Sequence, residues 1–374
     1  MDQHGRRAAV LALGTAVPAY QSSQAEVSQW MAASFEARPA LGRWLKGIYA
    51  NSGIETRYAC VPDFCQPPQH SRLAPGLAPA ETLTTAERMA IYERESVMLG
   101  VRAGCQALAD YSAASGEALA AVTGSVTHLI VVSCTGFFAP GLDLAIAQRL
   151  NLAPTVARTL IGFMGCAAAF NGLRTATQIV QGQPSARVLV ICVELCSIHI
   201  QPGTERENLI SASLFADGAS ACLVGAATTQ GDLFEMAGFY TCVKPETKSE
   251  MVWQIGNYGF ALKLSPQIPD HLAEAAPAAL QRLLGQQQPT PRFWAIHPGG
   301  KAIVDRLAAI FQLQPEEVAA TRSVLRRFGN LSSATIFFVL DEIARQGQPQ
   351  PGDYALLLAF GPGVTIELCL AQWI

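Results

Sequence analysis

Short uninterrupted hydrophobic segments recur along the chain, each bounded by turn residues. Six of them occupy residues 126–133, 187–193, 219–225, 293–296, 354–360 and 364–370. Segments that do not alternate between apolar and polar positions are typical of strands covered on both faces. Residues 8–13 form a further apolar segment, which is too short for a signal peptide and has no cleavage pattern. We expect it to be the first buried strand.

The stretches between these segments are rich in Ala, Leu, Gln and Arg and are predicted to be helices. They cover residues 81–111, 142–150, 167–181, 271–284, 301–311 and 332–345. Strands that alternate with helices indicate a layered α/β fold. The strand at 187–193 and the pair of strands around 215–224 resemble the last two strands in their order and spacing along the chain. This indicates two duplicated halves with a seam near residues 226–235. Residues 60–79 are rich in Pro, Gln and His and are predicted to be irregular.

Composition narrows the class of function. The 374 residues are 50% hydrophobic and 15% charged, enough to bury a large core. The net charge of -3 gives no electrostatic footprint for nucleic acid, so a small-molecule substrate is expected. No stretch reaches the roughly 18 to 20 apolar residues of a membrane span, so we expect a soluble protein.

The ten cysteines show no metal-binding pattern. They form no CxxC pair and have no zinc-like spacing to the six histidines, so no metal site is expected. Cys192, Cys222 and Cys369 lie in apolar segments, where a free cysteine behaves as a small hydrophobic residue. This usage favours the reducing cytoplasm.

Cys166 is the first candidate for chemistry. Residues 162–172 read GFMGCAAAFNG, a glycine-hinged turn that places the cysteine at the start of an alanine-rich helix. The helix dipole and unpaired N–H groups are expected to stabilise a thiolate and lower the pKa of Cys166. The alternative is a buried structural cysteine.

Two further polar residues stand where a strand or a glycine turn ends. His297 follows a buried strand in FWAIHPGG, and Asn330 lies in FGNLSSA at a predicted helix start. Each residue has a structural alternative. His297 could be a core histidine whose hydrogen bonds are satisfied, and Asn330 could be only the N-cap of a helix. Together with Cys166 they supply a nucleophile, a base or charge partner, and an oxyanion donor, which indicates acyl transfer through a thioester.

Four segments together resemble the type III polyketide synthases, the homodimeric chalcone-synthase-like enzymes of the thiolase fold. They are the cysteine turn, HPGG at 297–300, GNLSS at 329–333 and FGPG at 360–363, in matching order and spacing. Pro362 favours this family over the ketoacyl synthases that start fatty acid synthesis. The resemblance implies a homodimer with a layered αβαβα arrangement of two halves, 1–228 carrying the cysteine and 229–374 carrying the histidine and asparagine.

The resemblance also implies a reaction. Cys166 would take a starter acyl group from an acyl-CoA, and His297 and Asn330 would stabilise the enolate formed when malonyl-CoA loses carbon dioxide. Decarboxylation places negative charge on the thioester oxygen, which two fixed donors can stabilise. CoA thioesters are then substrates, and no cofactor is expected. The chain looks more like bacterial members that extend fatty acyl starters into alkylpyrones or alkylresorcinols.

The family's pocket residues are carried over by position. The two gatekeeping phenylalanines fall on Phe215 and Phe260, for which ordinary core packing is the alternative. The cavity-lining positions fall on Cys134, Thr135, Cys196, His199, Met251 and Ser332. Cys196 and His199 replace the usual plant threonines and Met251 replaces the glycine of chalcone synthases, so the plant product is not carried over.

The coenzyme A surface matches less well. Plant members have a cluster of basic residues near the tunnel mouth, where this chain offers Arg43 and Lys46, with Arg57 a little later. These three are the candidate phosphate contacts, and each has a solvated surface residue as its alternative.

Three other functions share some of these features. A ketoacyl synthase of fatty acid initiation would use the same three residues for a single condensation on an acyl-carrier protein. A papain-like protease has cysteine, histidine and asparagine in this order, but neither its cysteine signature nor a disulfide pattern is visible. A non-catalytic lipid-binding scaffold predicts no activity and no effect of Cys166→Ser.

Overall fold

The computed structural model describes residues 7–227, 233–285 and 289–374. Its strands are β1 (Ala8–Ala16), β2 (Tyr20–Ser23), β3 (Thr56–Ala59), β4 (His128–Ser133), β5 (Ala157–Gly162), β6 (Val188–Leu195), β7 (Asp217–Ala226), β8 (Phe234–Cys242), β9 (Met251–Gly256), β10 (Gly259–Leu264), β11 (Phe293–Ile296), β12 (Tyr354–Gly361) and β13 (Thr365–Trp373). Its helices are α1 (Gln24–Ala33), α2 (Pro39–Ala50), α3 (Thr85–Ser115), α4 (Leu119–Gly124), α5 (Leu142–Arg149), α6 (Ala168–Gly182), α7 (Arg206–Leu214), α8 (Ile268–Leu284), α9 (Lys301–Phe311), α10 (Ala319–Phe328) and α11 (Thr335–Gln346).

The large sheet is built from two halves with the same strand pattern. In one half β4 is parallel to β6, and β6, β7 and β1 follow in antiparallel pairs. In the other half β11 is parallel to β12, and β12, β13 and β8 follow in antiparallel pairs. Two residue pairs between β1 and β8 join the halves. The predicted duplication is therefore confirmed by the strand order.

The hydrophobic cores define five layers. The central core contains α6 and α11 together with residues of both half-sheets, such as Val190 and Leu357. A second core packs α3 on the other face of the first half-sheet, where Ile191 points. A third core packs α8 and α9 on the outer face of the second half-sheet, around Leu356. Because both faces of each half-sheet are covered, the strands are continuously apolar, and the predicted αβαβα layering is confirmed.

Several details differ from the sequence prediction. Residues 217–226 form the single strand β7 rather than a pair of strands. Strands β5 and β8 and the β9–β10 hairpin were not predicted, because each has several partly exposed positions and lacks a long apolar run. Residues 60–79 contain short 3₁₀ turns, as an irregular segment should. The seam at 226–235 and the boundary at residue 228 include residues 228–232, which lie outside the described residues.

Two possible features are not found among the described residues. None of the helices there is long and apolar enough to cross a membrane. In the same part of the chain, no three His, Cys, Asp or Glu side chains are grouped so that they could hold a metal ion.

Candidate active site

The turn after β5 delivers Cys166 to the head of α6. Cys166 lies in a 3₁₀ turn, Gly165–Ala167, which leads directly into α6. Gly165 has φ +67°, and a Cβ at this position would come within 2.3 Å of Pro362 Cδ. Only glycine fits there, so the cysteine turn and the FGPG loop can lie in direct contact.

The thiol of Cys166 is in a poorly hydrated environment. Its Sγ lies 3.7 Å from Ser332 Oγ. Loss of hydration raises the pKa of Cys166 to about 12, although hydrogen bonds from Ser332 and Asn330 oppose the rise. The lowered pKa expected for Cys166 is therefore wrong, because desolvation of the thiolate outweighs the hydrogen bonds that stabilise it.

The backbone of Asn330 is fixed by two hydrogen bonds to a neighbouring segment. Its backbone N–H donates to the Leu214 carbonyl at 2.9 Å, and its carbonyl accepts from the Ala216 N–H at 2.9 Å. The side-chain Oδ1 accepts from Ser332 N at 2.8 Å, while Nδ2 donates to the Gly299 carbonyl at 3.4 Å and also interacts with the Cys166 thiol. The amide is thus fixed through its oxygen, and its NH₂ group is left weakly bonded.

His297 is fully buried at the end of β11. Its backbone N–H donates to the Leu358 carbonyl at 2.7 Å, and its ring meets the Phe360 ring edge-on at 5.5 Å. Among the described residues neither ring nitrogen has a hydrogen-bond partner. Burial lowers the pKa of His297 to about 3, so the imidazole is neutral. An unpartnered buried imidazole costs stability, and such groups call for a functional explanation.

Two of the three residues, Cys166 and Asn330, line one cavity of about 890 Å³. His297 does not line it but contacts two residues that do, Gly299 through its backbone carbonyl and Phe360 through its ring. This volume is within the range of pockets that enclose small organic ligands.

Most of the predicted pocket residues line this main cavity. They are Cys134, Thr135, Cys196, Phe215, Met251 and Ser332. Phe260 and His199 instead line a second, small cavity of about 50 Å³, which shares Cys196 and Phe215 with the main one. The two cavities are therefore neighbours separated by these shared walls.

His199 positions Phe260. Its Nδ1 accepts from the Phe260 N–H at 3.0 Å, and its Nε2 lies 2.7 Å from the Thr135 carbonyl. The two rings stack with centroids 4.4 Å apart. Burial lowers the pKa of His199 to about 3, so it is a neutral structural support for Phe260.

Glu194 is a buried carboxylate that the sequence reasoning missed. It accepts hydrogen bonds from Cys134 N at 3.0 Å, from Thr135 Oγ1 at 2.9 Å and from Ser333 Oγ. Burial raises its pKa to about 7 despite these bonds. The available signal was a lone acidic residue inside β6, whose other seven residues are apolar. Glu194 links the loops that carry Cys134 and Ser333.

The predicted coenzyme A contacts lie outside the main cavity. Arg43 and Lys46 are exposed on α2, and neither is among the residues that line it. Arg57 is buried and donates to the carbonyls of Ala212 at 2.6 Å and Phe215 at 2.8 Å. The Arg57 guanidinium thereby supports the backbone at Phe215, which the resemblance predicts to be a gatekeeping residue.

Comparisons with known proteins match the chain over nearly its whole length. Residues 2–228 match the N-terminal domain, and residues 238–374 the C-terminal domain, of chalcone and stilbene synthases. The "alpha-pyrone synthesis polyketide synthase-like Pks18" of Mycobacterium tuberculosis is 30% identical, covering 96% of this chain and 90% of that protein. "Type III polyketide synthase 21" of rice is also 30% identical, covering 98% and 94%.

A solved structure agrees with these matches. The type III polyketide synthase domain of Steely1, a type I/III hybrid from Dictyostelium, superposes with a TM-score of 0.89 at 27% identity, covering 98% of this chain and 99% of that domain. These matches and the fold define the class of protein as a thiolase-like condensing acyltransferase that acts on CoA thioesters. The chain belongs to the chalcone and stilbene synthase family and is a type III polyketide synthase. The ketoacyl synthase, protease and scaffold alternatives are set aside by this result.

Proposed function

We propose that this enzyme extends a medium- or long-chain fatty acyl-CoA with several malonyl-CoA units and cyclises the product to an alkylpyrone or alkylresorcinol. The observation that carries the proposal is the 890 Å³ cavity, which is lined by Cys166 and Asn330 and by apolar side chains such as Met251. An apolar wall of this size can bury an alkyl chain. The mycobacterial relative named for alpha-pyrone synthesis supports the type of product.

The first step of the proposed reaction loads the starter. The Cys166 sulfur attacks the starter thioester carbonyl, a new carbon–sulfur bond forms, and the CoA thiol leaves. Because burial holds the pKa of Cys166 at about 12, the thiol must lose its proton as substrate binds. His297, which has no other hydrogen-bond partner among the described residues, is the proposed carrier of this proton: it accepts the proton from the thiol and passes it to the leaving CoA sulfur, so the imidazole is neutral again before extension.

The second step extends the chain. Malonyl-CoA loses carbon dioxide, and the electron pair of the broken bond becomes an enolate with its charge on the thioester oxygen. We propose that Asn330 Nδ2 and a neutral His297 N–H donate to this oxygen. The enolate carbon attacks the acyl group on Cys166 and releases the thiolate, so the chain grows by two carbons.

A direct test uses purified enzyme, malonyl-CoA and a series of fatty acyl-CoA starters without any carrier protein, with products identified by mass spectrometry. Pyrones or resorcinols that carry two or more malonyl-derived units support the proposal. A single condensation product, or activity confined to short starters, contradicts it. Cys166→Ala is the control for background chemistry.

We also propose that the enzyme is a homodimer. Phe137, Leu160 and Met164 are large apolar side chains that are 39%, 41% and 44% exposed beside the Cys166 turn. Phe137 also stacks on Phe163 at 5.3 Å, next to Met164 in the chain, and we infer that these exposed apolar side chains belong to one patch. A second copy is expected to cover this patch, and Leu160→Lys should shift the mass measured by light scattering towards the monomer. An unchanged dimer mass would place the interface elsewhere.

The proposed location is the cytoplasm. All ten cysteines are free thiols, including the exposed Cys65 and Cys105. Free exposed thiols suit a reducing compartment. Fractionation of cells that express the tagged protein tests this assignment.

A further inference from the structure

The rim of the main cavity carries two cations that lie outside the predicted coenzyme A set. Among the described residues that line this cavity, the charged ones are Arg206, Glu207 and Lys301. Arg206 is the first residue of α7 and Lys301 is the first residue of α9. The two cations therefore come from different halves of the fold, and both are exposed residues that line the same cavity.

Arg206 is free of a competing carboxylate. Its guanidinium lies over the Trp44 ring, 5.4 Å from the ring centroid. Within the described parts of the chain, no Asp or Glu lies within ion-pair distance of it. Contact with the ring restricts the side chain without neutralising its charge, which leaves the guanidinium N–H groups available to an anion.

Lys301 belongs to a cluster with excess positive charge. Its Nζ lies 2.5 Å from Asp305, and the same carboxylate is 2.6 Å from Arg322. Two cations thus share one anion, and the cluster keeps a net charge of +1. The stem of Lys301 also packs beside Gly53, where an added Cβ would lie 3.4 Å from Lys301 Cβ, so the side chain is held at the rim.

Helix α2 lies beside Arg206, through the contact with Trp44, and adds no charged residue to the described lining of the cavity. Its lining positions, Trp44, Gly47 and Ile48, follow one face of the helix. Lys46 is two positions from both Trp44 and Ile48, which places it on the other side of α2. The candidates taken from sequence therefore do not supply the positive charge of the cavity rim.

We propose that Arg206 and Lys301 bind the phosphate groups of the coenzyme A part of the substrates. The inference rests on the proposed function, in which a CoA thioester reaches Cys166 from this rim. A pantetheine arm that runs from the rim to the thiol leaves the pyrophosphate and the ribose phosphate outside, where arginine and lysine suit phosphate recognition.

The test compares two thioesters of the same fatty acid, one of coenzyme A and one of N-acetylcysteamine, which has no phosphates. Arg206→Ala and Lys301→Ala should each lower kcat/KM for the CoA thioester roughly fivefold, the size of one solvent-exposed charge contact, and the double variant roughly twenty-fivefold. Activity on the N-acetylcysteamine thioester should stay unchanged. Lys46→Ala and Arg43→Ala are the matched controls and should change neither value.

Other results would overturn the inference. Equal losses on both thioesters would show that the two residues support the fold, and unchanged CoA activity would show that they do not contact the phosphates. A loss specific to Lys46→Ala or Arg43→Ala would restore the assignment made from sequence. A wild-type enzyme that condenses neither thioester would contradict the proposed function itself.

Discussion

Glu194 should make the stability of this enzyme depend on pH in a way that one substitution removes. The carboxyl group is fully buried, and burial raises its pKa from the ordinary 4.5 to about 7. Below pH 4.5 the group is protonated in both the folded and the unfolded chain. Between pH 4.5 and 7 only the unfolded chain ionises, so a rise in pH favours unfolding. Above pH 7 both states are ionised and the dependence ends.

The size of the effect follows from the two pKa values. The interval from 4.5 to about 7, at roughly 1.4 kcal/mol for each pH unit, gives a loss on the order of 3 kcal/mol in the free energy of unfolding. Other buried groups also contribute. Burial raises the pKa of Asp217, which acts in the same direction, and lowers the pKa values of His199 and His297, which act in the opposite direction. The wild-type curve alone therefore cannot isolate Glu194.

The difference between wild type and Glu194→Gln isolates it. Gln cannot ionise, and any hydrogen bonds lost to Cys134, Thr135 and Ser333 add an offset that does not depend on pH. Urea unfolding at pH 5, 6, 7 and 8 should show the wild type losing its advantage over the variant by about 2 kcal/mol between pH 5 and 7 and by only a few tenths more up to pH 8. Parallel curves for the two proteins between pH 5 and 7 would refute the raised pKa.

Three further predictions concern the reaction. Cys166→Ala should form no acyl-enzyme, and an acyl adduct seen on this variant by intact mass spectrometry would contradict the assigned nucleophile. Asn330→Ala should slow malonyl-CoA decarboxylation by about 10²- to 10³-fold, the usual cost of losing one oxyanion donor. Cys166 of this variant should still accept a starter acyl group. Equal losses in both steps would indicate a structural role for Asn330. Met251→Trp should shorten the longest starter accepted, because Met251 lines the main cavity; an unchanged product profile from a panel of acyl-CoA starters would place the alkyl chain elsewhere.

The site depends on contacts between segments that are distant in sequence. The Cys166 turn lies against Pro362, and Ser332 contacts the thiol across 166 residues of chain. Glu194 in turn binds the loops of Thr135 and Ser333. A substitution that loosens one of these contacts should therefore affect loading of Cys166 even when it leaves the thiol in place.

Local sequence was sufficient for much of the fold. Uninterrupted apolar segments identified the buried strands β1, β4, β6, β12 and β13, because strands covered on both faces need apolar residues throughout. Glycines beside Cys166 and Asn330 marked the turns that carry both residues. The sequence pattern did not predict the half-exposed strands β5, β8, β9 and β10, because neighbouring strands stabilise them more than their own composition does.

The sequence by itself determined the layered α/β architecture, the candidate trio of Cys166, His297 and Asn330, and the resemblance to the family. Only the tertiary structure decided that burial raises the pKa of the thiol, that Arg57 supports Phe215, and that Arg206 and Lys301 line the main cavity. The physical reason is that strand and turn preferences act over a few residues. Desolvation and charge depend instead on which distant segments pack around a group.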